Sequence, residues 1–313
     1  MKQPLIILTG PTAVGKTALS IELAKVLKGE IISADSMQVY RHMDVGSAKV
    51  TKEEMDGVPH HLIDVLEPSE EFNVTRFQSM AKEAMKGIYE RGHVPIVVGG
   101  TGFYIQALIY DIDFKDNDDS TVIRAELEQI GAEQGAEKLH EMLSEIDPES
   151  AEAIHANNMK RVIRAIEYYR MTGQKISEHN KEEHEKESPY DCFYYVLTCD
   201  RARLYERIDQ RVDLMFEQGL VEEVKHLKEM GCHRGMVSMQ GLGYKEILDY
   251  LDGICTLEEA EYILKRDTRH FAKRQLTWFR RERDVRWLKL EEYQFDRSKI
   301  LDKIIREVRK EDN

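Results

Sequence analysis

The chain has 313 residues, 42% of them hydrophobic and 33% charged, with a formal net charge of −13. That length admits one large domain or a core with a smaller one, and the absence of any apolar run long enough for a bilayer excludes a helical membrane protein. The acidic total would also argue against nucleic acid, but residues 261–289 hold ten Lys/Arg against four Asp/Glu and residues 160–175 five against one, which confines positive potential to two surfaces.

The first residues, MKQPLIILTG, are too short an apolar run for a signal peptide, and the four cysteines show neither C-x-x-C spacing nor histidines at zinc-ligand distance. A cytoplasmic protein with reduced cysteines is expected. Leu5 to Leu8 reads as a buried strand ending at Thr9. Next comes Gly10-Pro11-Thr12-Ala13-Val14-Gly15-Lys16-Thr17, a match to G-x-x-x-x-G-K-[ST]. Leu19, Leu23, Val26 and Leu27 then recur at helical spacing, with Lys28-Gly29 as a stop, and Glu30 to Ala34 reads as a second strand. Strand, loop, helix and strand in under forty residues make a right-handed βαβ unit and therefore a parallel sheet. Val94 to Val98, Cys192 to Thr198 and Val285 to Leu290 are further strands.

Between them the texture changes. Asp111 to Asp119 and Glu178 to Asp191 are charged connectors, and the residues they bracket follow helical spacing through Ile123, Leu127, Ile130, Leu139, Leu143, Val162 and Ile166, with a break at Asp147-Pro148. The pattern specifies an α/β fold: a P-loop NTPase-like parallel sheet flanked by helices (1–115 and 192–313), with a small all-helical domain inserted at 116–191.

The loop's backbone amides and the positive end of the following helix form a cradle for a diphosphate or triphosphate, with Lys16 reaching phosphate oxygens and Thr17 offering its hydroxyl to magnesium. Asp35, at the carboxyl end of the second strand, can be a magnesium ligand, a general base or an N-cap. Ser36, Gln38 and Tyr40 extend a polar edge beside it. Gly99-Gly100-Thr101-Gly102-Phe103-Tyr104 reads equally as a ligand-facing turn, with Phe103 or Tyr104 available to stack, and as ordinary scaffold. No apolar strand ends in the aspartate of a Walker B motif, and His60 to Asp64 is a poor substitute.

Arg266, Arg269, Lys273, Thr277 and Arg280 share one helical face, while Leu264, Phe271 and Trp278 fall on a core-facing one. A basic helix with Trp278 and Phe279 suits an RNA backbone and its unstacked bases. Lys160, Arg161 and Arg164 form a second patch on the helical insertion, and two basic surfaces on separate modules suit a folded polyanion. A small-molecule kinase and an RNA-binding module with a structural nucleotide share parts of this pattern. The kinase has no use for the basic surfaces, and the RNA module none for Asp35.

The blocks GPTAVGKT, ISADSMQVYRHMDVGSAK (32–49), VVGGTGFY (97–104), KRVIRAIE (160–167), RIDQRVDLMFEQGLVEEV (207–224), QGLGYKE (240–246) and KRQLTWFRR (273–281) stand in one order along nearly the whole chain. In them the chain resembles the bacterial tRNA dimethylallyltransferase family. The resemblance implies transfer of a dimethylallyl group from dimethylallyl diphosphate to the exocyclic amine of the adenosine 3′-adjacent to the anticodon. It implies Lys16, Thr17, Arg211 and Asp35 as the catalytic group, with magnesium as cofactor. For the tRNA anticodon stem-loop it implies contacts from Asp35, Ser36, Met37, Gln38, Thr101, Arg124, Lys160, Arg161, Arg164, Gln240, Lys245, Arg269, Lys273, Arg274 and Arg280. The chain is expected to work as a monomer away from membranes.

Overall fold

The computed structural model describes residues 2–114 and 120–309, so the end of the first charged connector lies outside the described residues. In chain order the elements begin β1 (Gln3–Thr9), α1 (Lys16–Leu27), β2 (Gly29–Ala34), α2 (Lys52–Met55), β3 (His60–His61), α3 (Val74–Glu90), β4 (Val94–Gly99) and α4 (Gly102–Ile109). Four helices follow: α5 (Ser120–Ile146), α6 (Pro148–Ala153), α7 (Met159–Thr172) and α8 (Ile176–Glu185). The chain continues with β5 (Tyr190–Thr198), α9 (Arg201–Glu217), α10 (Leu220–Glu229), α11 (Tyr244–Leu251), α12 (Leu257–Phe279), β6 (Val285–Lys289) and α13 (Arg297–Arg309).

The six strands form one parallel sheet in the order β3-β2-β4-β1-β5-β6. β1 lies between β4 and β5 and is covered on both faces, which is why Leu5, Ile6, Ile7 and Leu8 are an unbroken apolar run with no exposure. Register decides where the chemistry can sit. Thr9 pairs with Gly99 and Gly99 with Ala34, so the carboxyl ends of β1, β4 and β2 finish level. Ligands in open parallel sheets bind along that rim.

α1 packs Leu19 and Leu23 into the core beneath the sheet, whereas Val26 is 41% exposed and lies outside the expected apolar stripe. Its C-terminal left-handed residue is Lys28 rather than the glycine after it. Val14 and Ala272 join the same core, so the loop and α12 are both anchored in it.

The chain divides into two compact units, residues 1–109 with 189–313 and residues 110–188. The second carries its own core, with Leu127, Leu139, Leu143, Val162 and Ile166 fully buried. α5 is broken at Gly135, whose φ of 85° is left-handed. The break expected at Asp147-Pro148 is an N-cap: Asp147 accepts from the Ser150 amide at 3.1 Å and ties in Ser177 through its hydroxyl at 2.7 Å. Residues 178–185, read from their charge as connector, are instead the body of α8. β5 likewise starts two residues before the expected strand.

Candidate active site

Past Thr9, whose hydroxyl donates to the Gly99 carbonyl at 2.6 Å, the chain takes left-handed conformations at Ala13 (φ 63°) and Gly15 (φ 104°) before α1 begins. No side chain caps α1 and its first turn holds no acid, so its amides are open to an anion. Lys16 Nζ donates to the carbonyls of Gly10 (3.0 Å) and Pro11 (2.8 Å), curling over the loop. Burial, reinforced by Arg211 and partly opposed by Asp35, pulls its pKa down to about 7. Thr12, Ala13, Gly15, Lys16 and Thr17 face a cavity of about 1010 Å³. Val14 is in the core and Gly10 lies against the Leu197 carbonyl, so both support the loop rather than line it.

Asp35 follows β2 directly and lines the same cavity. Its Oδ1 accepts the Met37 amide at 2.8 Å and the Gln38 amide at 3.4 Å, so the capping reading and the site reading both hold, although a turn and not a helix follows. The Gln38 side chain donates to the Ala48 carbonyl at 3.2 Å and accepts from Ser33 at 3.3 Å. The Ala48 carbonyl belongs to a loop held by Glu223, which accepts the amides of Asp44, Val45 and Gly46 at 2.8, 2.7 and 3.0 Å and the Tyr244 hydroxyl at 2.9 Å. The opposite wall is α9. Arg203, Arg207 and Arg211 recur every four residues along it and all line the cavity. Arg207 Nε donates to the Ala13 carbonyl at 2.8 Å. Arg211 makes no hydrogen bond or ion pair among the described residues; burial lowers its pKa, while Asp35 and Glu54 raise it.

Gly99, the last residue of β4, and Gly100 after it line the cavity and leave no room for a side chain, so the ligand-facing and scaffold readings both hold. A Cβ on Gly99 would lie 2.2 Å from the Ala34 carbonyl oxygen, and one on Gly100 2.1 Å from Gln275 Nε2. Tyr104 cannot stack on a ligand base: it is buried, parallel to Phe77 at 4.8 Å, and desolvation pushes its hydroxyl up to about 12. Phe103 is 41% exposed and meets the half-buried Trp278 edge-on at 6.1 Å. Phe279 has no exposure, which removes it from base stacking.

The residues expected to meet RNA fall into groups. On α12 and just after it Lys273, Arg274 and Arg280 are exposed and have no ion pair among the described residues. Arg266 is held by Asp267 at 2.8 Å and Arg269 by Asp209 at 2.5 Å, while Lys245 lies between Glu246 (3.3 Å) and Asp267 (3.9 Å). Gln240 is exposed and turns its amide onto the Arg234 carbonyl. Met37 packs against Gly241, and Ser36 and Thr101 are half-buried. In the helical unit Lys160 and Arg161 are exposed without ion pairs among the described residues, whereas Arg164 (3.2 Å) and Arg124 (2.7 Å) share the fully buried carboxylate of Glu167.

Four contributors were missed in the sequence: Arg203, Arg207, Glu223 and Gln275. Spacing alone flags the arginines, one and two turns before Arg211. Glu223 and Gln275 act on chain segments more than 170 residues away, which no local pattern reports.

A family model described as IPP transferase matches residues 38–282. The chain belongs to that family. It is 64% identical to a tRNA dimethylallyltransferase of Lachnoclostridium phytofermentans over 95% of both chains. The solved tRNA delta(2)-isopentenylpyrophosphate transferase of Staphylococcus epidermidis matches 99% of this chain and 100% of its own, with TM-score 0.73 and 45% identity. A eukaryotic dimethylallyltransferase acting on tRNA matches 92% of this chain and 74% of its own, with TM-score 0.77 and 32% identity.

Membership of the IPP transferase family raises the question of magnesium. No cluster of three His, Cys, Asp or Glu side chains capable of holding a metal occurs among the described residues. Magnesium needs none: beside a diphosphate it takes one or two protein oxygens, the phosphate oxygens and water. The exposed Thr17 hydroxyl and the Asp35 carboxylate, opening on one cavity, fit such a sparse hard-oxygen set.

Proposed function

We propose that this chain transfers the dimethylallyl group of dimethylallyl diphosphate to the exocyclic amine of the adenosine 3′-adjacent to the anticodon of tRNA, releasing diphosphate. The observation that carries the reading is a phosphate loop whose cavity gathers Lys16 and Arg211, neither ion-paired among the described residues, with Asp35 as the one of its three lining carboxylates (Asp35, Asp200, Glu206) whose charge acts on both. The loop amides from Ala13 onward, Lys16 and Arg211 hold the diphosphate. As the allylic carbon–oxygen bond breaks, its electron pair leaves with the diphosphate, and these groups spread the charge. The Thr17 hydroxyl would hold magnesium beside the diphosphate, where the ion would supply further Lewis-acid stabilisation of the leaving group. The adenine amine is a weak nucleophile because its lone pair is delocalised into the ring. Asp35 orients it and takes its proton as nitrogen bonds to carbon.

The adenosine must leave its stack to reach the cavity, at a cost of a few kcal/mol that is smaller in a loop than in a duplex. Ser36, Met37, Gln38, Thr101, Gln240 and Lys245 lie on the core unit's side of that approach, with Lys273, Arg274 and Arg280 for the backbone. Lys160 and Arg161 serve the helical unit, and Arg124 and Arg164 act there as a pair oriented by Glu167. We take the enzyme as a cytoplasmic monomer; no helix among the described residues is long and apolar enough to cross a membrane.

The test is purified protein with isotope-labelled dimethylallyl diphosphate and unmodified anticodon stem-loops. Label should enter the RNA at one adenosine, and Asp35→Asn, which keeps Oδ1 for the Met37 and Gln38 amides, should lower kcat by about 10²–10⁴ with RNA affinity unchanged. Unlabelled RNA beside ATP-dependent phosphorylation of a small molecule would overturn the assignment.

A further inference from the structure

Gln275 sits on the inner face of α12 and is 6% exposed. Its Oε1 accepts the Thr12 amide at 2.9 Å and its Nε2 donates to the Gly100 carbonyl at 3.0 Å. Each partner dictates the amide's orientation, since an N–H can only donate and a carbonyl can only accept. One side chain therefore joins three segments: the phosphate loop, the turn after β4, and α12. The turn has glycine at 100 because any Cβ there would strike this amide.

We propose that Gln275 is a positioning residue for the diphosphate loop, and that through it the loop's geometry depends on the helix whose outer face is basic. The proposal rests on the prenyl-transfer reading above. Thr12's amide is already engaged, so the donors left for phosphate start at Ala13, and their direction is set by where Gln275 holds the preceding peptide. On the same helix Lys273, Arg274 and Thr277 are exposed, as is Arg280 at its end, while Ala272 and Phe279 are buried. A helix this firmly seated moves as a rigid piece, so RNA bound to its outer face and diphosphate bound at its inner face share one element. Two ligands that bias one element are coupled, and the coupling is reciprocal. Sequence periodicity gave α12 a basic face for RNA and an apolar face for the core; the inner hydrogen bonds give it a further task.

The experiment measures binding of inorganic pyrophosphate by calorimetry, with and without saturating anticodon stem-loop, in the full chain and in Gln275→Met. Methionine keeps the volume and removes both hydrogen bonds. In the wild type, stem-loop should change the pyrophosphate Kd at least about fivefold, within the usual range of coupling between two sites. In Gln275→Met the Kd without RNA should rise by about tenfold, the loss expected for one or two hydrogen bonds, and the RNA effect should disappear. Stem-loop affinity itself should stay at the wild-type value. A purely structural glutamine predicts otherwise: a lower Tm with the pyrophosphate Kd and its RNA dependence intact, which overturns the proposal. Should Gln275→Met fail to fold, Gln275→Glu is read by the same criteria, since it keeps the acceptor for Thr12 and sets an oxygen against Gly100. If the wild type binds both ligands and the variant behaves identically, positioning alone is refuted. If the wild type binds neither ligand, the functional reading falls and this proposal with it.

Discussion

Lys16 offers the most quantitative test of the phosphate site. Its ammonium is held down to about 7 by burial and by Arg211, against an ordinary value of 10.5. A diphosphate placed in the loop neutralises both cations, so the bound form returns towards its ordinary value and binding takes up a proton. The ligand selects the charged lysine. Below pH 7 that form is already present and affinity is flat; above it, affinity falls by about tenfold at pH 8 and about a hundredfold at pH 9. The measurement is the Kd of dimethylallyl diphosphate between pH 6 and 9 for the wild type and for Lys16→Gln. The variant reports the ligand's own titration, and the ratio of the two isolates the lysine. Folding gives the opposite sign for the free protein. The native state holds fewer protons than the unfolded chain between about 7 and 10.5, so without ligand the wild type should gain stability relative to Lys16→Gln as pH rises through that window. A Kd ratio that stays constant from pH 6 to 9 would refute the argument, because it would mean the lysine is charged in the empty loop or does not meet the diphosphate.

Ion pairing sorts the basic residues into those that carry counterions for RNA and those that do not. Neutralising Lys273, Arg274 or Arg280 should each reduce the salt slope of stem-loop binding by about 0.7, whereas Arg266 and Arg269, already paired with Asp267 and Asp209, should change it much less. Binding titrations between 50 and 200 mM salt decide this, and equal slopes for the two sets would remove the distinction. At the amino end of β2, far from the chemistry, Glu30 is buried among Arg91 (2.7 Å), His61 (2.7 Å) and His93 (2.8 Å), and the Arg91 hydrogen bonds hold its carboxyl down to about 2. That stabilisation is complete above its unfolded value of 4.5 and is lost as pH falls towards 2. Glu30→Gln should therefore cost on the order of 3 kcal/mol at pH 6 and much less at pH 2.5. Urea unfolding at both values checks it, and a pH-independent difference would count against the ion-pair origin.

Most of the parallel sheet was legible because its strands are short apolar runs followed by turn chemistry, and because the loop motif fixes a strand before it and a helix after it; β3, the pair His60-His61, has no such pattern and was not foreseen. Boundaries slipped where composition misleads. Glu178 to Glu185 is charged enough to read as linker, yet the helix it belongs to is held at its start by Asp147 gripping Ser177 and by packing on α6 and α7, both non-local. The site shows the same division. Lys16, Thr17 and Asp35 were visible because their positions follow from one motif and one strand end. The distinction between Arg269 and Lys273 was not, since both lie on the same predicted face and only the placement of Asp209 on α9 separates them. Phe279 follows the helical wheel rather than its neighbour: it falls seven residues after Ala272 and four after Gln275, on the buried face, while adjacent Arg280 is exposed.

Strand order explains how a phosphate loop can serve carbon rather than phosphorus chemistry. The loop leaves β1 and Asp35 leaves β2, but β4 runs between them, so the two lie two strand spacings apart, about 10 Å. β4, between them, ends in glycines and contributes no acid, while β5 on the loop's other side leads into Asp200, which also lines the cavity. On the reading proposed above, the gap across Gly99 and Gly100 separates the cations that meet the leaving group from the carboxylate that meets the incoming nitrogen. Such a division makes the two ends separable in energy: damage at the loop weakens binding of the diphosphate, and damage at Asp35 leaves it bound and slows its departure.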